Sequence, residues 1–385
     1  MRAAINLRNA NLMVADGHGE SMRSLTRALV DTADARRLDL LMDAPCRFSG
    51  FEGPTATTRV LHPFKLGNRL LTRTLGGDPW YRARVPLARA WRAADVYLQS
   101  AHEPPPFVSG PPHVAMVHDV AFMRPGAGAF YEAPTRSYLD QWTASSIHRA
   151  DRLLAVSDWV RDEVVRIYGY PAERVDVAPH GVDGDRFKAD ADPHSVTDTL
   201  NRLCIQAPYV LFLGTLQPRK NVGALARAYA KARRRGLAHT LVLAGAPGWR
   251  YSDVAADLDG ISGEGIRLTG AVDPDDLPSL LAGASAFVSV AIDEGFGMPI
   301  LEAMASGVPV VAASQGGLAD AAGDAGISVD PHDPDAIADA LLQVTGDESL
   351  RDDLRTRGLA RAAEFTWSRT AQCVWQSLEQ ACASS

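Results

Sequence analysis

The sequence predicts an α/β protein of two Rossmann-like, doubly wound parallel-sheet domains, and three observations predict it. A length of 385 residues exceeds what one hydrophobic core usually supports, so two domains of roughly 180 residues each are expected. Short apolar runs alternate with amphipathic helical patterns along the chain, as in a parallel sheet covered by helices. The alternation restarts after a polar stretch at 184–207, GDRFKADADPHSVTD and onward, which has no apolar periodicity.

In the first half, AAINL, DLLM, DVYLQS, HVAMVHD, RLLAVS and RVDVAPHG read as strands. Between the last two, Ser157 is a capping residue for a helix with Val160, Val164 and Ile167 on one stripe and a stop at Gly169. In the second half YVLFLGT, TLVLAG, IRLTGAV, AFVSVAI and VPVVAAS repeat the scheme, and Val222, Leu225, Ala226, Tyr229 and Ala230 form the inner face of an intervening helix. Beyond Gly346 the pattern is helical to the end, where FTWSRTAQCVWQSLEQA carries two tryptophans that need a surface to bury against. The expected domains are 1–190 and 191–364, with a terminal helix over 365–385.

Composition narrows the class. Apolar residues make up 46% and charged residues 22%, ordinary values for a soluble globular chain. No apolar run approaches the roughly 18 residues that span a bilayer, and MRAAINLRN lacks a signal-peptide core, so a cytosolic protein is expected. Cys46, Cys204, Cys373 and Cys382 show no metal-ligand spacing and read as free thiols or core fillers. The net charge of −7 hides an asymmetry: residues 1–190 hold 24 Lys and Arg against 22 Asp and Glu, residues 191–385 hold 15 against 24. No nucleic-acid-binding motif accompanies the basic residues.

The most specific constellation is Glu294-Gly-Phe-Gly-Met-Pro-Ile-Leu-Glu302, between the strand AFVSVAI and a helix starting near Pro299. Ligands of open α/β sheets bind outside the carboxyl ends of strands, where this loop sits. Gly295 and Gly297 permit close backbone approach, and the helix start offers unpaired N–H groups. Glu294 stands at the loop tip and Glu302 within about the first helical turn. Carboxylates accept hydrogen bonds from vicinal hydroxyls, as on sugar and ribose rings. A second piece, Gly214-Thr-Leu-Gln-Pro-Arg219-Lys220-Asn221, turns the first strand of the second half into its first helix. An arginine fork and a lysine there can clamp a pyrophosphate, although an exposed basic turn has the same appearance. Weaker signals are Gly17-His-Gly19-Glu-Ser before a helix, which lacks the third glycine of a dinucleotide fingerprint, and His118-Asp119 at a strand end. Asp183-Gly-Asp185 has the spacing of a metal-binding DxD, but reads as a turn.

Residues 209–340 closely resemble the donor domain of family 4 glycosyltransferases of the GT-B fold, a large retaining group that includes bacterial mannosyl- and glucosyltransferases. The resemblance implies two Rossmann-like domains facing a central cleft, and a nucleotide sugar as co-substrate with no other cofactor and no metal. It implies that Glu294 and the amides of Gly295, Phe296, Gly297 and Met298 hold hydroxyls of the transferred sugar, while Glu302 holds the nucleotide ribose. Arg219 and Lys220, near Gly214, would grip the diphosphate, and the loop from Gly270 to Val272 would lie near the base. In the first half it implies a glycine loop at Gly17 and Gly19 near the donor phosphates and His118 beside the anomeric centre. GDP-mannose is the expected donor, and a glycan, glycolipid or lipid-linked molecule the expected acceptor. Rival readings are a UDP- or dTDP-sugar-dependent transferase of the same fold acting on a small-molecule acceptor, a metal-dependent transferase of the other glycosyltransferase fold, a silent nucleotide-sugar sensor, or an NAD-linked oxidoreductase.

One stretch is left over. Within 44–92, Arg47, Arg59, Lys65, Arg69, Arg73, Arg82, Arg84, Arg89 and Arg92 face only Glu52 and Asp78, with Phe48, Phe51, Phe64, Trp80, Tyr81 and Trp91 interleaved. That mixture suits an interface with an anionic membrane surface or an acidic acceptor rather than a core.

Overall fold

The computed structural model describes all residues except 9–16, 47, 49–50, 52, 65–71, 73–77, 125, 260, 262–264 and 385. The chain divides into two compact units. One comprises Met1–Met123, Glu132–Gly181 and Trp367–Ser385, the other Arg124–Tyr131 and Val182–Thr366.

The first unit holds β1 (Arg2–Asn6), β2 (Arg37–Met42), β3 (Ala56–Val60), β4 (Val96–Ser100), β5 (His113–Val117), β6 (Arg152–Ala155) and β7 (Val175–Val177). They form one sheet in the order β3-β2-β1-β4-β5-β6-β7. The second unit holds β8 (Tyr209–Leu213), β9 (Thr240–Ala244), β10 (Ile266–Gly270), β11 (Ala286–Ser289), β12 (Val310–Ala313) and β13 (Ile327–Val329), in the order β10-β9-β8-β11-β12-β13. Every ladder is parallel. Among the described residues, the α-helices of six or more residues are α1 (Gly17–Asp31), α2 (Ala133–Arg149), α3 (Asp158–Tyr168), α4 (Pro193–Leu203), α5 (Val222–Arg234), α6 (Tyr251–Asp259), α7 (Leu277–Ala282), α8 (Met298–Ala305), α9 (Gly316–Ala322), α10 (Pro334–Gly346), α11 (Glu348–Ala363) and α12 (Trp367–Ala383). Each apolar run read as a strand is one, because parallel strands covered on both faces must be apolar throughout. The runs missed are β3, an edge strand in which alternate residues are exposed, and β13, three residues long.

Local signals act as expected at α3 and α5. The Ser157 hydroxyl accepts the Val160 amide at 3.1 Å, and Gly169 ends α3 in the left-handed region at φ 64° with its amide on the Val165 carbonyl. Val222, Leu225, Ala226, Tyr229 and Ala230 are all buried on α5, where the Tyr229 hydroxyl reaches the His239 and Gly265 carbonyls at 3.0 Å.

Three expectations need correction. The polar stretch at 184–207 is not without structure: it contains α4, capped by the Asp192 carboxylate on the His194 and Ser195 amides. Apolar periodicity is absent because Thr199 is its only buried residue. The aromatic residues of 44–92 do not form an outward face. Phe51, Trp80, Tyr81 and Trp91 are buried, with Trp80, Tyr81 and Trp91 packed in a cluster with Leu41, Val85 and Tyr97. Several of the cations serve this packing: Arg59 pairs with Asp39 at 2.9 Å, Arg82 lies over the Trp142 and Phe107 rings, and Arg84 lies over Phe64. Arg stems and forks cover aromatic faces as readily as they face solvent. Arg47, Glu52, Lys65, Arg69 and Arg73 lie outside the described residues. Finally, Gly17 and Gly19 are not a loop ahead of a helix; α1 begins at Gly17.

The terminal helix α12 packs on α1 within the first unit. Trp375 is buried and donates to the Thr32 hydroxyl at 3.1 Å, and Trp367 is half-buried against the His180 ring at 5.7 Å. All four cysteines are free. Among the described residues, no helix is long and apolar enough to cross a membrane. Replacing the Ser157 cap, Ser157→Ala, is expected to cost about 1 kcal/mol, measured as a lower urea midpoint at unchanged slope.

Candidate functional site

The order of the second sheet reverses between β8 and β11, the switch point at which open α/β sheets bind ligands. The loops leaving these two strands are the Arg219–Lys220 turn and the Glu294 loop, and backbone-directed bonds lock them together. Asn221, left-handed at φ 59°, donates its side-chain amide to the Val290 carbonyl at 3.0 Å and the Pro331 carbonyl at 2.8 Å. The Ile292 amide donates to the Arg219 carbonyl at 3.0 Å, and Gln315, just past β12, donates to the Ile292 carbonyl at 2.8 Å.

Inside this frame three charges meet. Lys220 Nζ donates to Glu294 Oε2 at 2.6 Å, and Arg219 Nη1 approaches the same oxygen at 3.3 Å. Arg219 Nη1 also donates to the Asp293 carbonyl at 2.7 Å. Burial pushes the Glu294 carboxyl upward, but the fields of Lys220 and Arg219, with the Lys220 hydrogen bond, outweigh it and hold the carboxyl below its usual value. Asp293 is itself buried and pairs with Arg124.

Of the two loop glycines, Gly297 has the conformation only glycine adopts readily, φ +117°, and a Cβ there would lie 2.7 Å from Leu318. Gly297 caps α8 without a side-chain acceptor. Sequence reasoning missed a third glycine. The Gly317 amide donates to the Glu294 carbonyl at 2.8 Å, and a Cβ at 317 would lie 2.2 Å from the Gly295 carbonyl oxygen. Its signal was the adjacent pair GG at the head of α9, which reads as an ordinary turn. Phe296 is buried with its ring 5.9 Å from that of Phe365, and Met298 opens α8. Glu302 is half-buried in the second turn of α8, not the first. Beyond the neighbouring strands, the Gly214 amide donates to the Ala244 carbonyl and the Gly245 amide to the Gly270 carbonyl, both at 2.9 Å. These bonds tie the ends of β8, β9 and β10, with Val272 two residues further on and half-buried.

In the first unit, His118 follows β5 and belongs to a run of rings. It stacks on His180 at 5.5 Å and lies 6.3 Å from His102, while His180 faces Trp367. His102 and His180 escaped the sequence reading because each stands alone in its segment. Burial lowers the His102 imidazole, opposed by the Asp119 charge. Glu103, at the end of β4, is buried on the Asn6 side-chain amide at 2.7 Å and the Tyr81 hydroxyl at 3.3 Å, and burial pushes it up to about 8. The Asp183 carboxylate accepts the Asp185 and Arg186 amides at 3.0 and 3.1 Å, an Asx turn.

The ion cluster carries a sign that can be tested. A carboxyl held below its unfolded value stabilises the fold above the ordinary carboxylate range, and that contribution is lost as pH falls through the depressed value. Lys220→Met should therefore lower stability at pH 7 by about 1–3 kcal/mol, short of the 3–5 of a fully buried pair. The gap from the native chain should narrow by pH 3, as followed by urea unfolding at both pH values.

A family model described as "Glycosyl transferases group 1" matches residues 207–347, and one described as "Glycosyltransferase Family 4" matches residues 16–186. The O-antigen chain mannosyltransferase B of Escherichia coli is 34% identical over 313 residues, covering 77% of this chain and 78% of that protein. A D-inositol 3-phosphate glycosyltransferase of Nocardia farcinica is 33% identical over 282 residues, covering 70% of this chain and 61% of that protein. Among solved structures, sucrose-phosphate synthase from Thermosynechococcus elongatus aligns with TM-score 0.76 at 20% identity over 100% of both chains. WaaG, a glycosyltransferase involved in lipopolysaccharide biosynthesis, aligns with TM-score 0.68 at 16% identity over 98% of this chain and 99% of its own. With its two parallel-sheet units, the chain belongs to the family 4, group 1 glycosyltransferases of the GT-B fold.

Proposed function

We propose that this glycosyltransferase is a retaining enzyme that moves a hexose, mannose from GDP-mannose, onto a glycan, glycolipid or lipid-linked acceptor, without a metal at the diphosphate. The observation that carries the reading is the convergence of Glu294, Arg219 and Lys220 at the switch point of the second sheet. Likeness to an O-antigen mannosyltransferase supports the choice of sugar.

The chemistry follows from the charges. Breaking a glycosyl–diphosphate bond leaves oxocarbenium character on the sugar and negative charge on the diphosphate, so groups that meet the developing charge accelerate the step. A lysine ammonium has three N–H donors; one is on Glu294, and the others remain for a phosphate oxygen. Arg219 supplies a fixed fork. Glu294, kept ionised by these neighbours, accepts hydrogen bonds from sugar hydroxyls, alongside the amides of Gly295 to Met298. Glu302 takes the ribose, the Gly270–Val272 loop the base, and His118 the region of the anomeric carbon. The helix start at Gly17 and Gly19 offers N–H groups to the donor phosphates. A leaving-phosphate oxygen, rather than a carboxylate pair, deprotonates the acceptor, in contrast to glycosidases.

The test is turnover of GDP-, UDP- and dTDP-hexoses in EDTA by the native chain and by Glu294→Gln. Turnover of GDP-mannose is expected, with a loss of about 10²-fold or more in the variant. Full activity of the variant removes Glu294 from the site. Turnover confined to UDP- or dTDP-sugars replaces the donor, and strict dependence on added Mn²⁺ or Mg²⁺ replaces the metal-free mechanism.

The acceptor is proposed to present an anionic surface to the first unit. With Phe51, Trp80, Tyr81 and Trp91 buried, the support among the described residues includes the exposed set Leu87, Arg89 and Arg92. Sedimentation with anionic vesicles at low salt, lost in Arg89→Gln/Arg92→Gln or at high salt, is the expected outcome. Equal recovery in the supernatant throughout leaves a soluble acceptor.

A further inference from the structure

Residues 124–131 interrupt the first unit. The chain leaves that unit at Met123, five residues after His118, and rejoins it at Glu132; the strap between them clusters with the second unit. Among the described residues, the contacts that hold the strap there include three made by side chains. Arg124 pairs with Asp293, Arg250 Nη1 donates to the Ala129 carbonyl at 2.7 Å, and the Tyr131 ring lies 5.6 Å from that of Trp249. Trp249 and Arg250 stand beyond β9 and Asp293 beyond β11, and residues 127–130 pack near 218–220 beyond β8, so the strap meets loops that leave the carboxyl end of the second sheet.

The Arg124 contact differs from the other two in what lies behind it. The Asp293 side chain is 3% exposed and its partner 23%. A carboxylate at that depth is strongly disfavoured without a partner, so the pair fixes where residue 293 sits. The carbonyl of the same residue accepts Arg219 Nη1 at 2.7 Å, and that nitrogen lies 3.3 Å from Glu294 Oε2. The side chain of Asp293 is held by the strap, and its backbone holds the arginine beside Glu294.

We infer that Arg124 is a positioning residue for the transfer reaction: through Asp293 it fixes the carbonyl that orients Arg219, and with it Glu294. The inference rests on the reading that Glu294, Arg219 and Lys220 hold the donor. Arg124 itself touches neither sugar nor phosphate in this role. Without it, the Asp293 carboxylate loses a charged partner and its carbonyl can move within the remaining bonds of the frame, and displacements of about 1 Å at a reacting centre cost up to about 10²-fold in rate. Because supporting groups set such distances, the effect reaches kcat as well as stability. The strap also begins close in sequence to His118, so one short stretch carries a proposed reaction-centre residue and the support of the donor loops.

The experiment compares Arg124→Gln, Arg124→Lys, Asp293→Asn and the double variant Arg124→Gln/Asp293→Asn. Glu294→Gln reports on the donor reading, and Ser157→Ala serves as a control that loses stability elsewhere. The substrate is whichever of the GDP-, UDP- and dTDP-hexoses the native chain turns over, at a temperature where circular dichroism shows each variant folded. Arg124→Gln and Asp293→Asn should each lower kcat at least tenfold with a smaller change in KM. Their effects should not add in the double variant, since both remove one ion pair. Arg124→Lys should restore most of the loss, and Ser157→Ala should leave kcat unchanged. If Arg124→Gln does not fold, Asp293→Asn, isosteric and neutral, decides by the same criterion. Native kcat in the Arg124 and Asp293 variants, with Glu294→Gln impaired, overturns the positioning role and leaves the donor reading standing. Full turnover by Glu294→Gln overturns the donor reading on which the inference rests.

Discussion

A half-buried carboxylate held against two cations, where the second sheet changes direction, is the constraint around which that unit is built. Three charges drawn out of water are costly, and their mutual attraction repays the cost only when the geometry is tight and the remaining donors are satisfied. Glu294, Lys220 and Arg219 meet those terms with help from the backbone. The Asp293 carbonyl accepts an Arg219 N–H, and the Glu294 carbonyl accepts the Gly317 N–H. The loops after β8, β11 and β12 are consequently one hydrogen-bonded frame, in which Asn221 and Gln315 are the braces. Gly317 is part of the same constraint: only a residue without Cβ brings its amide that near, because a side-chain carbon would strike the Gly295 carbonyl.

The two units repeat one winding and specialise it differently. In the second, the carboxyl edge of the sheet carries fixed charge. In the first, His102, His118, His180 and Trp367 line up as rings, and the carboxyl nearby, Glu103, is pushed by burial toward its neutral form. Burial acts in the same direction on both carboxyls. The difference is that Glu294 has two cations in contact, while Glu103 is met at hydrogen-bond distance by an amide and a phenol. A neutral carboxyl donates a hydrogen bond as well as accepting one, which a carboxylate does not.

The architecture was legible because parallel strands buried on both faces leave unbroken apolar runs, and helix ends leave chemical marks such as Ser157 and Gly169. What escaped is consistent with that. The edge strand β3 carries the consecutive polar residues Thr57, Thr58 and Arg59, and α4 buries only Thr199, so neither leaves an apolar trace. The aromatic and basic mixture over 44–92 misled for a related reason: composition cannot tell a ring facing water from one facing inward beneath an arginine. At the candidate site the carboxylate and the cations were legible as types at strand ends. Asp293, Arg124, Gln315 and Gly317 were not, because each acts through a backbone group or a partner distant in sequence, which no local pattern records.

The charge balance runs counter to the anionic donor proposed for this unit, since residues 191–385 carry 15 basic residues against 24 acidic ones. Distance resolves it. Solvent-exposed charges are screened beyond about 8 Å at physiological salt, so acids spread over the outer helices contribute little at the sheet edge. Many are also paired locally, as Asp253 is with Arg250 and Asp353 with Arg357. In the proposed site Arg219 and Lys220 act at contact distance and largely out of water, where the same charge interacts several times more strongly than at the surface. The net charge of a domain bears on solubility and long-range encounter, whereas the local field at the end of β8 is set by two side chains and the frame that holds them.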